Sequence, residues 1–159
     1  MNYSDIKLND SINGEGISLS LFVSGCTNYC KGCFNEDTWD FNYGKEFTEE
    51  TMNYILDNIN KNSVKRNFSV LGGDPLHDRN LRTVLKILGK VKQTYPTITT
   101  YVWSGYLYEY LLHKYGEDIF KDIDVLIDGR FVEELKDLNL KLRGSSNQRI
   151  IKIKEVQNV

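Results

Sequence analysis

Along the chain, short apolar runs with strand character alternate with stretches in which apolar residues recur at helical spacing. Ile17–Val23 interleaves apolar residues with Ser18 and Ser20, the period-two pattern of a strand with one wetter face. A clear helix follows, with Thr48 a good N-cap and Glu49 and Glu50 placed to complement the helix dipole. Phe47 can staple onto Met52, and Met52, Ile55, Leu56 and Ile59 make one buried stripe. Phe68–Leu71 reads as a short buried strand ended by Gly72-Gly73. Asn80–Tyr95 is helical again, with Leu81, Val84, Leu85 and Leu88 on one face and Pro96 beyond its end. Gly89 within it costs about 1 kcal/mol relative to alanine and weakens the last turns. Ile98–Trp103 is a third strand, closed by Ser104-Gly105. Tyr108, Leu111, Leu112 and Tyr115 then form a helical stripe that stops at Gly116.

Asp124–Gly129 reads as a fourth short strand ending in a turn, and Arg149–Lys154 alternates like an edge strand. Asn13–Gly16 is a turn, because its glycines permit positive φ. Phe34–Gly44 is a loop or short helical turn packed over the segment before it, and Phe131–Leu142 follows neither period. Strands alternating with helices predict an α/β fold with a mostly parallel sheet, and residues 1–159 suit a single domain. The turns at Gly25, Gly72-Gly73, Ser104-Gly105 and Gly129 all follow strands. The carboxyl ends of parallel strands carry the active site in such folds, so these turns are expected to face one cavity.

Composition changes this picture little. Hydrophobic residues are 40% and charged residues 26%, ordinary for a globular domain. Twenty basic and 22 acidic residues leave a net charge of −2, without the basic excess that marks many nucleic-acid binders. No apolar run approaches the ~20 residues that span a membrane. The polar start Asn2-Tyr3-Ser4-Asp5 is unlike a secretory signal. With cysteines unsuited to a disulfide framework, a reducing, cytoplasmic setting is expected.

All three cysteines lie in one stretch, Cys26-x3-Cys30-x2-Cys33, just past the first predicted parallel strand. Three thiols cannot pair off as disulfides, and they are one short of the four that usually close a zinc or iron–sulfur site. Buried free thiols or a partial zinc site is one reading. His77 and His113 are the only histidines and lie far along the chain. An iron–sulfur cluster with one iron left for an outside ligand is the other reading, and it fits the count better.

The triad resembles the signature of the radical S-adenosylmethionine (SAM) superfamily. The resemblance implies a partial, open (β/α) barrel and a [4Fe-4S] cluster held by Cys26, Cys30 and Cys33, with SAM chelating the fourth iron. Many members place an aromatic residue before the last cysteine. Here Gly32 stands there, and Phe34 just after it could supply the apolar contact to the adenine. Gly72-Gly73-Asp74-Pro75 is similar to the Gly-Gly-Glu motif that holds the SAM amino group. Glycine permits close approach and a carboxylate can accept from an amine. Taken alone, it would read as an ordinary strand-to-helix turn. Ser104 and Asp128, at strand ends, could touch the ribose or methionine part of SAM or simply make turns.

Within the superfamily the chain closely resembles the activating proteins of anaerobic (class III) ribonucleoside-triphosphate reductase. Leu21–Cys26, Gly72–His77, Val102–Tyr106, Val125–Gly129 and Arg143–Arg149 all match, and Asn13-Gly14-Glu15-Gly16 resembles the family's early Asn-Gly-Pro-Gly turn. This implies a radical SAM activating enzyme that cleaves SAM reductively and generates a glycyl radical on the reductase subunit, with flavodoxin or ferredoxin as electron donor. No acid–base pair is needed, and no catalytic side chain is nominated beyond the cluster and SAM. Two alternatives stay open: activation of another glycyl-radical enzyme or small-molecule radical SAM chemistry, and a non-enzymatic electron-transfer or interaction module. His77 could line the cavity, but a lone histidine after a turn is more often a surface or packing residue. Lys141, Arg143, Arg149, Lys152 and Lys154 read as a solvated basic tail or one that docks an acidic surface.

Overall fold

The helices that the apolar stripes predict all lie on the same side of one sheet. In a computed structural model describing residues 1–159, the strands are β1 (Asn2–Asp10), β2 (Ser18–Val23), β3 (Lys45–Glu46), β4 (Asn67–Gly72), β5 (Thr100–Ser104), β6 (Val125–Asp128) and β7 (Arg149–Lys152). The α-helices are α1 (Glu49–Ile59), α2 (Asp78–Thr94), α3 (Tyr108–Tyr115) and α4 (Ile153–Gln157). The sheet order is β3-β1-β2-β4-β5-β6-β7. The pairs β2/β4, β4/β5 and β5/β6 are parallel, while β1, β3 and β7 join antiparallel at the flanks. The sheet is open, with β3 and β7 as its two edges.

The order β2-β4-β5-β6 never reverses. Right-handed crossovers therefore put every connecting helix on the same face. The core shows this: Leu19, Leu21, Val23, Phe68, Val70, Val102 and Leu126 pack with Met52, Ile55 and Ile59 of α1, five residues of α2 and Leu111 of α3. On the other face Tyr101, Val125 and Ile127 form a smaller cluster with Trp103 and Leu142. Loops cover that face. Ser69 Oγ donates to the Asn13 carbonyl, the Glu15 amide donates to Tyr101 Oη, and Trp103 Nε1 donates to the Leu142 carbonyl at 2.7 Å.

Local chemistry explains most boundaries. Thr48 caps α1 in a reciprocal capping box with Thr51. The helix α2 starts two residues before Asn80, because His77 Nδ1 accepts from the Arg79 amide as its N-cap. It also runs straight through Gly89 to Thr94. There the buried stripe Leu81, Val84, Ile87, Leu88, Val91 outweighs the glycine's cost.

Two expectations need correction, and one long strand was not expected. β1 lies in a stretch to which the hydrophobic pattern assigned no element. It carries Tyr3, Ile6 and Leu8 against the core, but a register shift between Tyr3 and Asp5 breaks the alternation that would have marked it. The edge strand β7 ends at Lys152. The Ile153 amide reaches the Asp124 carbonyl, where β6 offers no further partner, and the chain turns into α4. The basic tail is also less free than expected. Arg149 pairs with Asp128 and Glu109, and Arg143 donates to the Gln148 carbonyl. No helix is long and apolar enough to cross a membrane.

Two stability predictions follow from these packings. A Cβ at Gly89 would meet only Asp122 Oδ2, at 3.4 Å, an ordinary contact. Gly89→Ala should therefore stabilise the fold by about 1 kcal/mol, seen as a higher urea midpoint at unchanged slope. Asp128 is fully buried; its carboxylate accepts from the Tyr108 amide at the start of α3 and from Arg149 of β7. Asp128→Ala should cost about 2–3 kcal/mol in the same measurement, because it strands a charge-assisted network joining three elements.

Candidate cluster-binding site at the strand ends

The carboxyl end of β2 runs directly into the cysteines. The segment 34–44 lies over this exit, as expected: the Gly25 amide donates to the Thr38 carbonyl at 2.7 Å and the Cys26 amide to the Trp39 carbonyl at 3.2 Å. A short 3-10 turn, Glu36–Trp39, supplies those carbonyls, and Trp39 meets Tyr29 edge to face. Phe41 packs so closely on Gly25 that a Cβ there would overlap its ring.

The three cysteines are free thiols on this loop, Cys26 buried and Cys30 and Cys33 half-buried. The loop turns tightly, with the Cys33 amide donating to the Cys30 carbonyl at 3.1 Å and Tyr29 at φ 47°. Burial pushes the Cys26 thiol up to about 11, and burial also raises Cys30. The Asn28 amide points at Cys26 Sγ, 3.4 Å away. Such thiols hold their protons until a metal displaces them, since a coordinating thiol is deprotonated outright. The sulfurs are not drawn into a preformed cage for a single ion. The donor set fits an iron–sulfur cluster, which thiolates hold through separate irons. Cys26, Cys30 and Cys33 are the residues that would hold it.

The next strand end is stitched to this loop. The Gly73 amide donates to the Val23 carbonyl at 2.7 Å, and the Asp74 amide to the Gly25 carbonyl at 2.9 Å. These bonds bring backbone against backbone: a Cβ at Gly73 would lie 2.6 Å from the Gly25 carbonyl oxygen, and Gly72 sits at φ +110° with Val23 as close. Only glycine tolerates both conditions. The close approach that these glycines permit is thus between the ends of β2 and β4.

Asp74 has a different setting from the one its motif suggests. Its carboxylate is 1% exposed and accepts four hydrogen bonds: Ser104 Oγ at 2.8 Å and the Leu76 amide at 3.0 Å on Oδ1, the Gly105 amide at 2.9 Å and Asn28 Nδ2 at 3.1 Å on Oδ2. Burial pushes its pKa up, and the four donors pull against that rise. Ser104 is likewise engaged, donating to Asp74 and accepting from the Tyr106 amide. Asp128 serves α3 and β7 as described. The ends of β2, β4 and β5 therefore converge on one carboxylate, and the end of β6 is held separately by Arg149.

Of the other expected site residues, Gly32 and Phe34 are exposed while Pro75 is buried. Gly32 packs under Glu133, which also pairs with Lys31 at 3.4 Å. Phe34 projects into solvent, 86% exposed. Pro75 follows Asp74 into the turn toward α2. His77 is a helix cap whose ring packs 4.8 Å from Phe41.

Two structural roles were not legible in the sequence. Asn80, 1% exposed, donates its side-chain amide to the carbonyls of Ser24 and Asp74, each at 3.0 Å. A polar residue on the otherwise apolar buried face of a helix was the available clue. The segment Gly144–Gln148 also has a visible task. Gln148 Oε1 accepts from the amides of Gly144 and Ser145, its Nε2 donates to the Gly129 carbonyl, and Asn147 donates to the Arg130 carbonyl. It thereby braces the loop that brings Glu133 to Gly32.

Comparison with known proteins follows the same outline. Residues 12–151 match the model of a family described as a 4Fe-4S single cluster domain. The chain is 41% identical over 155 residues to the anaerobic ribonucleoside-triphosphate reductase-activating protein of Haemophilus influenzae, covering 97% of this chain and 99% of the relative. It is 40% identical to the Escherichia coli K12 protein of that name, over 93% of this chain and 96% of the relative. With the bacteriophage T4 protein the identity is 34%, over 94% and 93% of the two chains. A cysteine loop at the end of β2, in a chain aligned along almost its whole length with these relatives, leads to one conclusion: the protein belongs to the family of anaerobic ribonucleoside-triphosphate reductase-activating proteins, built on a 4Fe-4S single cluster domain.

Proposed function

We propose that this chain is a radical SAM activating enzyme whose substrate is a backbone glycine of the anaerobic ribonucleoside-triphosphate reductase. The observation that carries this reading is the placement of three free thiols, and no fourth, at the carboxyl end of β2 beside the glycine turn that ends β4. When bound, the [4Fe-4S] cluster and SAM would supply one-electron reductive cleavage of the sulfonium and, from it, hydrogen-atom abstraction from the glycine.

The protein's part is to hold, orient and exclude. Cys26, Cys30 and Cys33 fix the cluster, leaving one position for an outside ligand. The backbone of Gly72, Gly73 and Pro75 forms the wall against which the amino-acid portion of SAM lies. Asp74, Ser104 and Asp128 act on SAM indirectly, since their side chains are engaged within the protein. Gly32 and Phe34 stand at the mouth, where Phe34 is free to close on an adenine. A helix-free face on an unclosed sheet suits a partial barrel of the radical SAM type. A full eight-fold barrel uses ~250 residues, and a shorter wall leaves room for a polypeptide loop to enter. Positioning matters more than acid–base assistance, because a primary carbon radical attacks whatever lies nearest. A flavodoxin or ferredoxin in the cytoplasm would deliver the electron.

Two measurements test this. After anaerobic cluster reconstitution and reduction, the chain should produce 5′-deoxyadenosine from SAM, and adding the anaerobic reductase should give a glycyl-radical signal in electron paramagnetic resonance. Deoxyadenosine without that signal would redirect the proposal to another substrate; the absence of both would end it. Cys30→Ala should lose the cluster's visible absorption and SAM cleavage together, and cleavage surviving this change would refute the ligand assignment.

A further inference from the structure

Between β4 and β5 the parallel ladder stops early. Their residues pair only as far as Val70 with Val102, whereas β2/β4 pairing continues to Gly72 and β5/β6 pairing to Asp128. The ends of β4 and β5 would therefore lack a main-chain connection at the level of the cysteine loop. The carboxylate of Asp74 spans this gap, taking the Ser104 hydroxyl and the Gly105 amide from the end of β5. Its remaining acceptor positions take the Leu76 amide and the side chain of Asn28. A carboxylate offers about four lone-pair sites, so this one has none left for an outside amine.

Asn28 lies two residues past Cys26 and is held at both ends. Its side chain donates to Asp74 Oδ2, and its own backbone amide is directed at Cys26 Sγ. Gly105 makes room for it, since a Cβ there would lie 2.2 Å from Asn28 Nδ2. We infer that Asp74 and Asn28 are positioning residues for the cluster: Asp74 anchors the Asn28 side chain, and Asn28 thereby aims an N–H···S hydrogen bond at the Cys26 ligand. Hydrogen bonds to cluster sulfurs are one of the means by which a protein sets reduction potential. The clamp links the geometry of two strand ends to the electron affinity of the cluster. This inference rests on the proposed cluster site, but it assigns Asp74 to the cysteine loop and not to the amine of SAM.

The test uses the full-length chain, cluster-loaded and cluster-free, with Asn28→Ala, Asp74→Asn and the double variant. Amide hydrogen exchange over residues 26–33 should accelerate about tenfold or more in either single variant, as expected from losing a hydrogen bond to a charged group. The double variant should be no worse than Asp74→Asn alone, because the two changes break the same link. In the loaded protein, Asn28→Ala should also make the cluster's reduction potential more negative, since an N–H···S bond favours the more negatively charged reduced state; a merely structural loop residue would leave the potential in place. If Asp74→Asn weakens SAM binding while exchange over 26–33 stays at the wild-type rate, the carboxylate is a SAM ligand and the clamp is wrong. Should Asp74→Asn be too unstable to study, Asn28→Ala at its half-buried position decides alone: unchanged exchange and potential overturn the inference. The exchange readout in cluster-free protein needs no SAM chemistry, so a failure of the activase reading and a failure of the clamp are distinguishable.

Discussion

The uninterrupted order β2-β4-β5-β6 is the constraint from which the rest of the structure follows. Four parallel strands in chain order, joined by right-handed crossovers, commit α1, α2 and α3 to one face and every βα turn to one edge. The apolar stripes of the helices meet the odd-numbered residues of β2 and the even-numbered residues of β4, β5 and β6 in a single core. The opposite face is left to loops, and those loops bring the asparagine turn at 13–16 and the braced segment at 144–148 against the sheet. Chemistry at the strand ends thus inherits its position from packing many residues away.

At that edge the backbone does what side chains do in many sites. Glycines let the ends of β2 and β4 touch, and the main chain of Gly73 and Asp74 bonds back to Val23 and Gly25. Where the ladder opens between β4 and β5, a buried carboxylate replaces it. A charged group buried this deeply is costly unless its acceptors are satisfied. Asp74 meets that requirement with four donors from three separate segments, so the same residue that would be a liability elsewhere becomes the junction of the site. The cysteine loop, lacking secondary structure of its own, takes its shape from this junction and from the carbonyls of Thr38 and Trp39.

Much of this was legible in the residues. Periodicity located α1, α2, α3 and the four parallel strands because their burial is regular, and the cysteine spacing with the Gly-Gly-Asp-Pro turn pointed to the family that the comparisons then showed. β1 was not legible, because a bulge near Tyr3 shifts its inward side chains out of alternation. The start of α4 was hidden by the same Ile-Lys alternation that forms β7; the strand ends where its partner does, which no local pattern records.

The sequence by itself determined the composition of the site: three thiols, the glycines that permit close approach, and the alternation of strands and helices that places their turns at strand ends. Those are local properties, set by residue type and by spacing along the chain. Tertiary structure alone decided what Asp74, Ser104, Asp128 and Asn28 do. A carboxylate's role depends on which donors reach it, and here the donors come from positions 28, 76, 104 and 105, far apart in the chain and adjacent only after folding. The motif placed Asp74 next to a ligand site; the folded chain turned its carboxylate inward, toward the loop that carries the cysteines.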